Sequence, residues 1–329
     1  MVLVTGGTGL VGAHLLLHLV ENEENVRAIY RKLETIQKTK NIFSYYKKES
    51  LFEKINWLPA DILDVPSLET TFENVEYVYH CAAFISFDPK DEDTIRKTNI
   101  EGTANVVNFC LAKNVKKLCF ISSIAALGDL KENEKIITEE TEWNPEKSHS
   151  DYAISKFGAE MEIWRGQQEG LDCIVVNPGV ILGPRIWEEG SGVIFKKIAN
   201  GFPFYTKGTT GFVAVTDVVK SMVQLMKSEI KNERFILVTN TISFQELFNS
   251  MADALKIKKP SIYINPFVMG VLWRIDWFFS TFFRTKRLLD KETAIASYSK
   301  KMYSNEKIKN ALQIDFLDVH QYIKEISIL

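Results

Sequence analysis

Tyr152-Ala-Ile-Ser-Lys156 sets a phenol and an ammonium four residues apart, and on a helix that spacing puts both on one face. An ammonium beside a phenol favours the phenolate and lowers a pKa that is ordinarily about 10. Such a phenol can give or take a proton near neutral pH. The spacing alone is weakly specific: with eleven tyrosines in a Lys-rich chain, it recurs at Tyr303 and Lys307. Position separates the two pairs. Tyr152 follows a strand-like run, 118–121, that ends in Ser122-Ser123, whereas Tyr303 has no such partner and reads as structural. A serine hydroxyl at a strand end can hydrogen-bond a carbonyl oxygen and orient the phenol. Ser123 is the candidate and Ser122 its competitor, and serines also serve plain turns. A Ser–His–acid hydrolase is the rival chemistry. The chain has no G-x-S-x-G, and His14, His18, His80, His149 and His320 show no triad arrangement.

These groups need a scaffold, and the first dozen residues, M-V-L-V-T-G-G-T-G-L-V-G, announce one. Residues 2–5 read as a buried strand, and Gly6, Gly9 and Gly12 punctuate a turn into an apolar helix over 10–20. Unpaired N–H groups and the dipole at such a helix start make an anion cradle. The first glycine permits the tight turn, the second lets a pyrophosphate approach the backbone, and the third lets helix and strand pack closely. The spacing is GxxGxxG rather than GxGxxG, and glycines also serve ordinary βα connections. Directly after a β-branched strand, the pattern predicts a dinucleotide site in which Gly6, Gly9, Leu10, Val11 and Gly12 meet the pyrophosphate.

Further strands are expected at 26–30, 55–58, 77–81, 118–121 and 173–176, with helices between them, including 91–113 and a helix over 152–168 capped by Asp151. Strands alternating with helices predict an α/β fold, a doubly wound parallel sheet of the Rossmann kind. Such sheets bind ligands beyond the carboxyl ends of their strands, where every motif above falls. From Pro178 the regularity breaks into short elements, among them an expected strand over 212–215. Residues 1–177 are therefore expected to form the dinucleotide-binding domain, and 178–329 a smaller α/β substrate lobe partly interleaved with it. At the end of the second strand stand Tyr30, Arg31 and Lys32, with no acid before Glu34. A guanidinium pairs well with a 2′-phosphate, which favours NADP over NAD, although a charged pair at a strand end is also common. Asp61, followed by Ile62, is placed to accept from the adenine amino group or simply to cap its own turn.

Composition excludes several classes. A net charge of −2 argues against a nucleic-acid binder. Cys81, Cys110, Cys119 and Cys173 are scattered, with no CxxC pair or His cluster, so free thiols in a reducing cytoplasm are expected and no metal site. With the fold starting at Met1, no leader is expected before the first strand. Residues 266–283 are apolar but interrupted by Arg274 and Asp276, too short to span a membrane and better read as a helix covering a pocket or a partner. The Arg284-Thr-Lys-Arg287 that follows keeps peripheral attachment through 266–287 open.

T-G-G-T-G-L-V-G, A-D-I-L-D, H-C-A-A, T-N-I-E-G-T, F-I-S-S, Y-A-I-S-K and N-P-G-V-I-L-G-P occur in an order that resembles the extended short-chain dehydrogenases/reductases, the NAD-dependent epimerase/dehydratase superfamily. The resemblance covers nearly the whole chain and implies roles. Tyr152 is the acid/base, Lys156 binds the nicotinamide ribose and lowers the tyrosine pKa, and Ser123 polarises the substrate carbonyl. Gly6, Gly9 and Gly12 hold the pyrophosphate, Ala82 and Ala83 line the cofactor, Asn99 supports the site, and Pro178, Gly179, Val180 and Ile181 flank the nicotinamide. Three contacts typical of nucleotide-sugar epimerases are replaced, by Val180, by Leu127 and by Thr210-Gly211. A diphosphate needs compensating charge, so these departures count against such a substrate. What remains is similar to the dihydroflavonol-reductase and 3β-hydroxysteroid-dehydrogenase-like branch. Phe84, Phe87, Leu127, Trp187, Phe204 and the aromatics of 266–283 are then substrate-pocket candidates, or plain core. The expectation is an NADP-dependent oxidoreductase acting on an apolar carbonyl or alcohol. The alternatives are an NAD-dependent nucleotide-sugar epimerase or dehydratase, and a non-catalytic NADP(H) binder. A homodimer paired through 91–113 and 152–168 is implied by the resemblance.

Overall fold

The computed structural model describes residues 1–86, 88–188, 190–282, 289 and 291–327. Twelve strands follow in order among them: β1 (Val2–Thr5), β2 (Val26–Tyr30), β3 (Asn56–Pro59), β4 (Tyr77–His80), β5 (Lys117–Ile121), β6 (Cys173–Pro178), β7 (Val180–Leu182), β8 (Phe204–Tyr205), β9 (Thr209–Ala214), β10 (Glu233–Leu237), β11 (Asn240–Ser243) and β12 (Ile262–Tyr263). Seven form one parallel sheet in the order β10-β6-β5-β4-β1-β2-β3. The sheet is buried on both faces, as parallel sheets are. Side chains alternate along a strand, so Val2 and Val4 of β1 enter one core with Leu15, Leu16, Phe43 and Met222. Leu3 enters the other with Leu68, Val106, Val107 and Ile163.

Helices Leu10–Glu21, Ile36–Tyr45 and Val215–Lys227 cover the first face. Helices Val65–Thr71, Gly102–Ala112 and Asp151–Gln168 cover the second. Strand order reverses between β1 and β4, which opens a crevice at their carboxyl ends. Beyond β6 the chain builds a three-stranded sheet, β11-β9-β7, and a two-stranded one, β12-β8, yet β10 returns to the edge of the main sheet.

Three local features depart from expectation. The helix expected over 91–113 is Glu92–Arg96, a π segment Lys97–Glu101, and Gly102–Ala112. The cap of Asp151–Gln168 is Ser150, whose hydroxyl accepts from the Ala153 N–H; Asp151 instead pairs with Arg96 at 3.0 Å. The strand expected over 212–215 ends at Ala214, and Val215 opens a helix. All four cysteines are free, and no described group of His, Cys, Asp and Glu could hold a metal. Among the described residues no helix is long and apolar enough to cross a membrane.

Candidate active site

The turn after β1 is built to receive an anion. Gly6 has φ +69°, and a Cβ there would lie 2.5 Å from the Ala82 nitrogen, in the loop after β4. At Gly12 a Cβ would meet the Gly6 carbonyl oxygen at 2.2 Å, so helix Leu10–Glu21 can approach its strand only without a side chain. At Gly9 the nearest atom would be 3.5 Å away, an open position. Gly9 also caps the helix in extended geometry with no side-chain hydrogen bond, and no acid sits in the first turn. The first N–H groups, on Leu10, Val11 and Gly12, therefore have no helical acceptors to meet. This cradle fits a dinucleotide pyrophosphate.

The rest of the expected cofactor surface surrounds the crevice. Arg31 and Lys32 follow the carboxyl end of β2 and are exposed, with no ion pair to any described residue for Arg31. Asp61 is half-buried, and its Oδ1 accepts from the Leu63 N–H at 3.0 Å, so one oxygen already caps its own turn. Ile62 is buried. Ala82 and Ala83 lie just past β4, and the Ala82 N–H donates to Thr5 Oγ1 at 3.2 Å. Asn99, inside the π segment, clamps this loop: its Oδ1 accepts from the Phe84 N–H at 2.7 Å, and its Nδ2 donates to the Phe84 carbonyl at 3.0 Å. The same Nδ2 donates to Ser155 Oγ at 2.9 Å, on the helix that carries Tyr152. A π turn is a common device for re-aiming one residue at a site. Pro178 ends β6 beside β5, and the Gly179 N–H donates to the Leu237 carbonyl at 3.0 Å; Val180 and Ile181 follow, half-buried.

The candidate reacting groups meet at the end of β5. Ser123 Oγ accepts from the Ala125 N–H at 3.1 Å and hydrogen-bonds the Tyr152 phenol. Ser122 turns the other way, toward the Glu160 carboxylate, because neighbours on an extended chain point to opposite sides. Of the two serines, Ser123 is the one beside the phenol. Lys156 is buried; its ammonium donates to the Ile121 carbonyl at 2.7 Å and lies 4.8 Å from the centre of the Phe120 ring. Burial pulls its pKa down to about 8, opposed first by the charge of Glu160. Tyr152 corrects an expectation. Burial raises its pKa above 10, and only the Ser123 hydrogen bond pulls it back. The Lys156 charge does not offset this, so desolvation of the phenolate prevails.

Sequence reasoning missed the charge behind this pair. Tyr152, Lys156 and Glu160 follow at intervals of four on one helix face, a spacing that had signalled the first two and equally marks the third. Glu160 is fully buried; its Oε1 accepts from Asn177 Nδ2 at 2.6 Å, and Arg234 Nη1 lies 3.5 Å from Oε2. Asn177 Nδ2 also donates to the Ser123 carbonyl at 3.0 Å. Burial raises the Glu160 pKa, and the adjacent Ser122 hydroxyl, the charge of Arg234, the Asn177 hydrogen bond and the charge of Lys156 oppose this. Tyr303 is half-buried and bridges Ile137, a structural role.

Among the pocket candidates, Phe84 sits beside the site through the Asn99 clamp. Leu127 is instead a core residue, 4% exposed among Ile137, Ile236 and Val238, because the turn after Ser123 folds it inward. Trp187 packs on Phe195 in the second lobe, ring centres 5.0 Å apart, and Phe204 packs on Phe202 at 5.5 Å. The aromatics of 266–282 are turned outward rather than into a pocket, with Phe267 79% and Phe282 65% exposed. Phe87 and residues 283–287 lie outside the described residues.

The family model for the NAD dependent epimerase/dehydratase family matches residues 2–237. The chain belongs to this family. It is an NAD(P)-dependent enzyme of the extended short-chain dehydrogenase/reductase type, in the branch of the dihydroflavonol reductases. A putative dihydroflavonol 4-reductase of Synechocystis is 27% identical over 266 residues, 78% of this chain and 73% of that one. Tetraketide alpha-pyrone reductase 2 of Arabidopsis thaliana is 26% identical over 267 residues, 76% of this chain and 81% of that protein. The fold matches UDP-glucose 4-epimerase of Thermotoga maritima with a TM-score of 0.78 at 20% identity, covering 99% of this chain and 97% of that one.

Proposed function

We propose that this enzyme is an NADP-dependent reductase acting on a carbonyl of an apolar or aromatic small molecule, with the alcohol oxidation as its reverse. The observation that carries the reading is the Ser123–Tyr152 contact: a phenol held in its protonated form beside a hydroxyl at the crevice of a dinucleotide fold. A protonated phenol is a donor in waiting, which suits reduction. When bound, the reduced nicotinamide supplies the hydride to the carbonyl carbon. Ser123 orients the carbonyl oxygen, Tyr152 Oη gives it a proton, and Lys156 holds the nicotinamide ribose. Exposed Arg31 at the end of β2 supports a 2′-phosphate. The reductase names of the relatives, and half-buried Val180 where a nucleotide-sugar epimerase carries a polar contact, support an apolar substrate.

The test is a turnover screen crossing NADPH and NADH with carbonyl and nucleotide-sugar panels. NADPH oxidation by an aromatic ketone or aldehyde is expected. Tyr152→Phe is expected to lower kcat by about 10²–10⁴-fold while NADPH affinity stays near normal. Epimerisation of a nucleotide sugar with no net NADPH consumption, or a fully active Tyr152→Phe variant, overturns the assignment.

A further inference from the structure

The helix Pro266–Phe282 shows its apolar face to the outside. Phe267, Val271, Leu272, Ile275, Phe279 and Phe282 are 79, 41, 38, 47, 51 and 65% exposed. At the helical repeat they fall within one arc of roughly 140°. Met269 and Ser280, on the opposite arc, are 8% and 6% exposed and face the protein. The two charged residues within the helix are tied down beside this face. Arg274 donates to the Gly270 carbonyl at 2.7 Å and lies over Trp273 at 4.5 Å, and Asp276 accepts from the Leu289 N–H at 3.0 Å. An outward apolar stripe of this length is more than scattered surface hydrophobics and marks an interaction surface.

Charge decides the occupant. In a chain of net charge −2, the described residues of the stretch 256–301 include seven Lys and Arg against two Asp and Glu. A second copy docked face to face by two-fold symmetry would set this positive segment against itself. An anionic lipid surface offers the complement to both features: acyl boundary for the stripe and headgroup charge for the flanking lysines and arginines. The helix has 17 residues and carries Arg274 and Asp276, so it lies in the interface rather than crossing it. We infer that this helix seats the enzyme on anionic membrane surfaces through its outward aromatic stripe.

The test uses the full chain in flotation with phosphatidylcholine vesicles, with and without phosphatidylglycerol. Binding to the anionic vesicles is expected, weakened by salt, with little binding to the neutral ones. The paired substitutions Phe279→Asp and Phe282→Asp are expected to lower the partition coefficient at least about tenfold. Both positions are exposed, so an unchanged thermal unfolding midpoint and NADPH affinity will show that the variant is folded. Absence of binding to anionic vesicles overturns the inference, as does binding that the paired variant retains. Sedimentation velocity without lipid supplies the remaining arm: a self-association that the same variant abolishes would make the stripe a face between copies, and overturns it too.

Discussion

Tyr152 retains its proton because burial penalises the phenolate more than one serine hydrogen bond rewards it. The sign of the pH dependence follows. On the proposed reaction, reduction, which consumes the phenolic proton, is expected to run at neutral pH and decline on the alkaline side. Alcohol oxidation, which needs the phenolate, rises with pH. Lys156, held to about 8, loses its charge first as pH rises. Glu160 is the anion that opposes that loss, so Glu160→Gln is expected to move the alkaline decline of kcat/KM to lower pH. A pH profile unchanged in position, even at reduced rate, would leave Glu160 with a structural role only. Arg31 is expected to act on the cofactor alone. Arg31→Ala is expected to weaken NADPH by about 1.5–3 kcal/mol, the range for a hydrogen bond to a charged group, and to leave NADH nearly unchanged. Titration of both cofactors against both proteins checks this, and tighter NADH binding by the parent enzyme would reverse the cofactor assignment.

At the scale of elements, the site is held by contacts between β1, β4 and the helix that contains the π segment. A directional chain of hydrogen bonds runs across them. Ala82 N–H donates to Thr5 Oγ1, Thr5 to His80 Nδ1 at 2.7 Å, His80 Nε2–H to Thr103 Oγ1 at 3.0 Å, and Thr103 to the Asn99 carbonyl at 2.6 Å. The direction at each end fixes the neutral Nε2–H tautomer of His80. Burial lowers the His80 pKa to about 3. Below about 6.5 the unfolded chain takes up a proton that the fold refuses, so His80 lowers stability by up to about 1.4 kcal/mol per pH unit until its folded pKa is reached. Buried His14, lowered to about 4, acts with the same sign. Urea unfolding between about pH 7 and 5 is expected to show this acid loss, and His80→Gln to make it shallower. The first turn offers a steric counterpart. In Gly12→Ala the added methyl would sit 2.2 Å from the Gly6 oxygen, so strand and helix must part. A stability loss of about 1–3 kcal/mol is expected, seen in thermal unfolding, together with weaker NADPH binding because the cradle is displaced.

The whole molecule joins a nucleotide crevice, where strand order reverses, to a second lobe whose long helix shows its apolar side to the surroundings. Much of this was legible in order along the chain. β-branched runs at helix-length intervals, a glycine turn directly after the first strand, Ser123 at a strand end and the Tyr152–Lys156 spacing are patterns among near neighbours. Local sterics and period act on near neighbours, so the parallel sheet and the catalytic helix could be read before any contact was known. What the sequence could not convey depends on residues far apart in the chain. Arg234 on β10 reaches Glu160 only because the last strand of the sheet lies beside β6. The upward shift of Tyr152, which serine faces the phenol, the core position of Leu127 and the outward turn of Phe267–Phe282 were likewise decided by packing. Desolvation and facing direction are properties of the assembled interior, and only the tertiary structure determines which side of a strand or helix that interior covers.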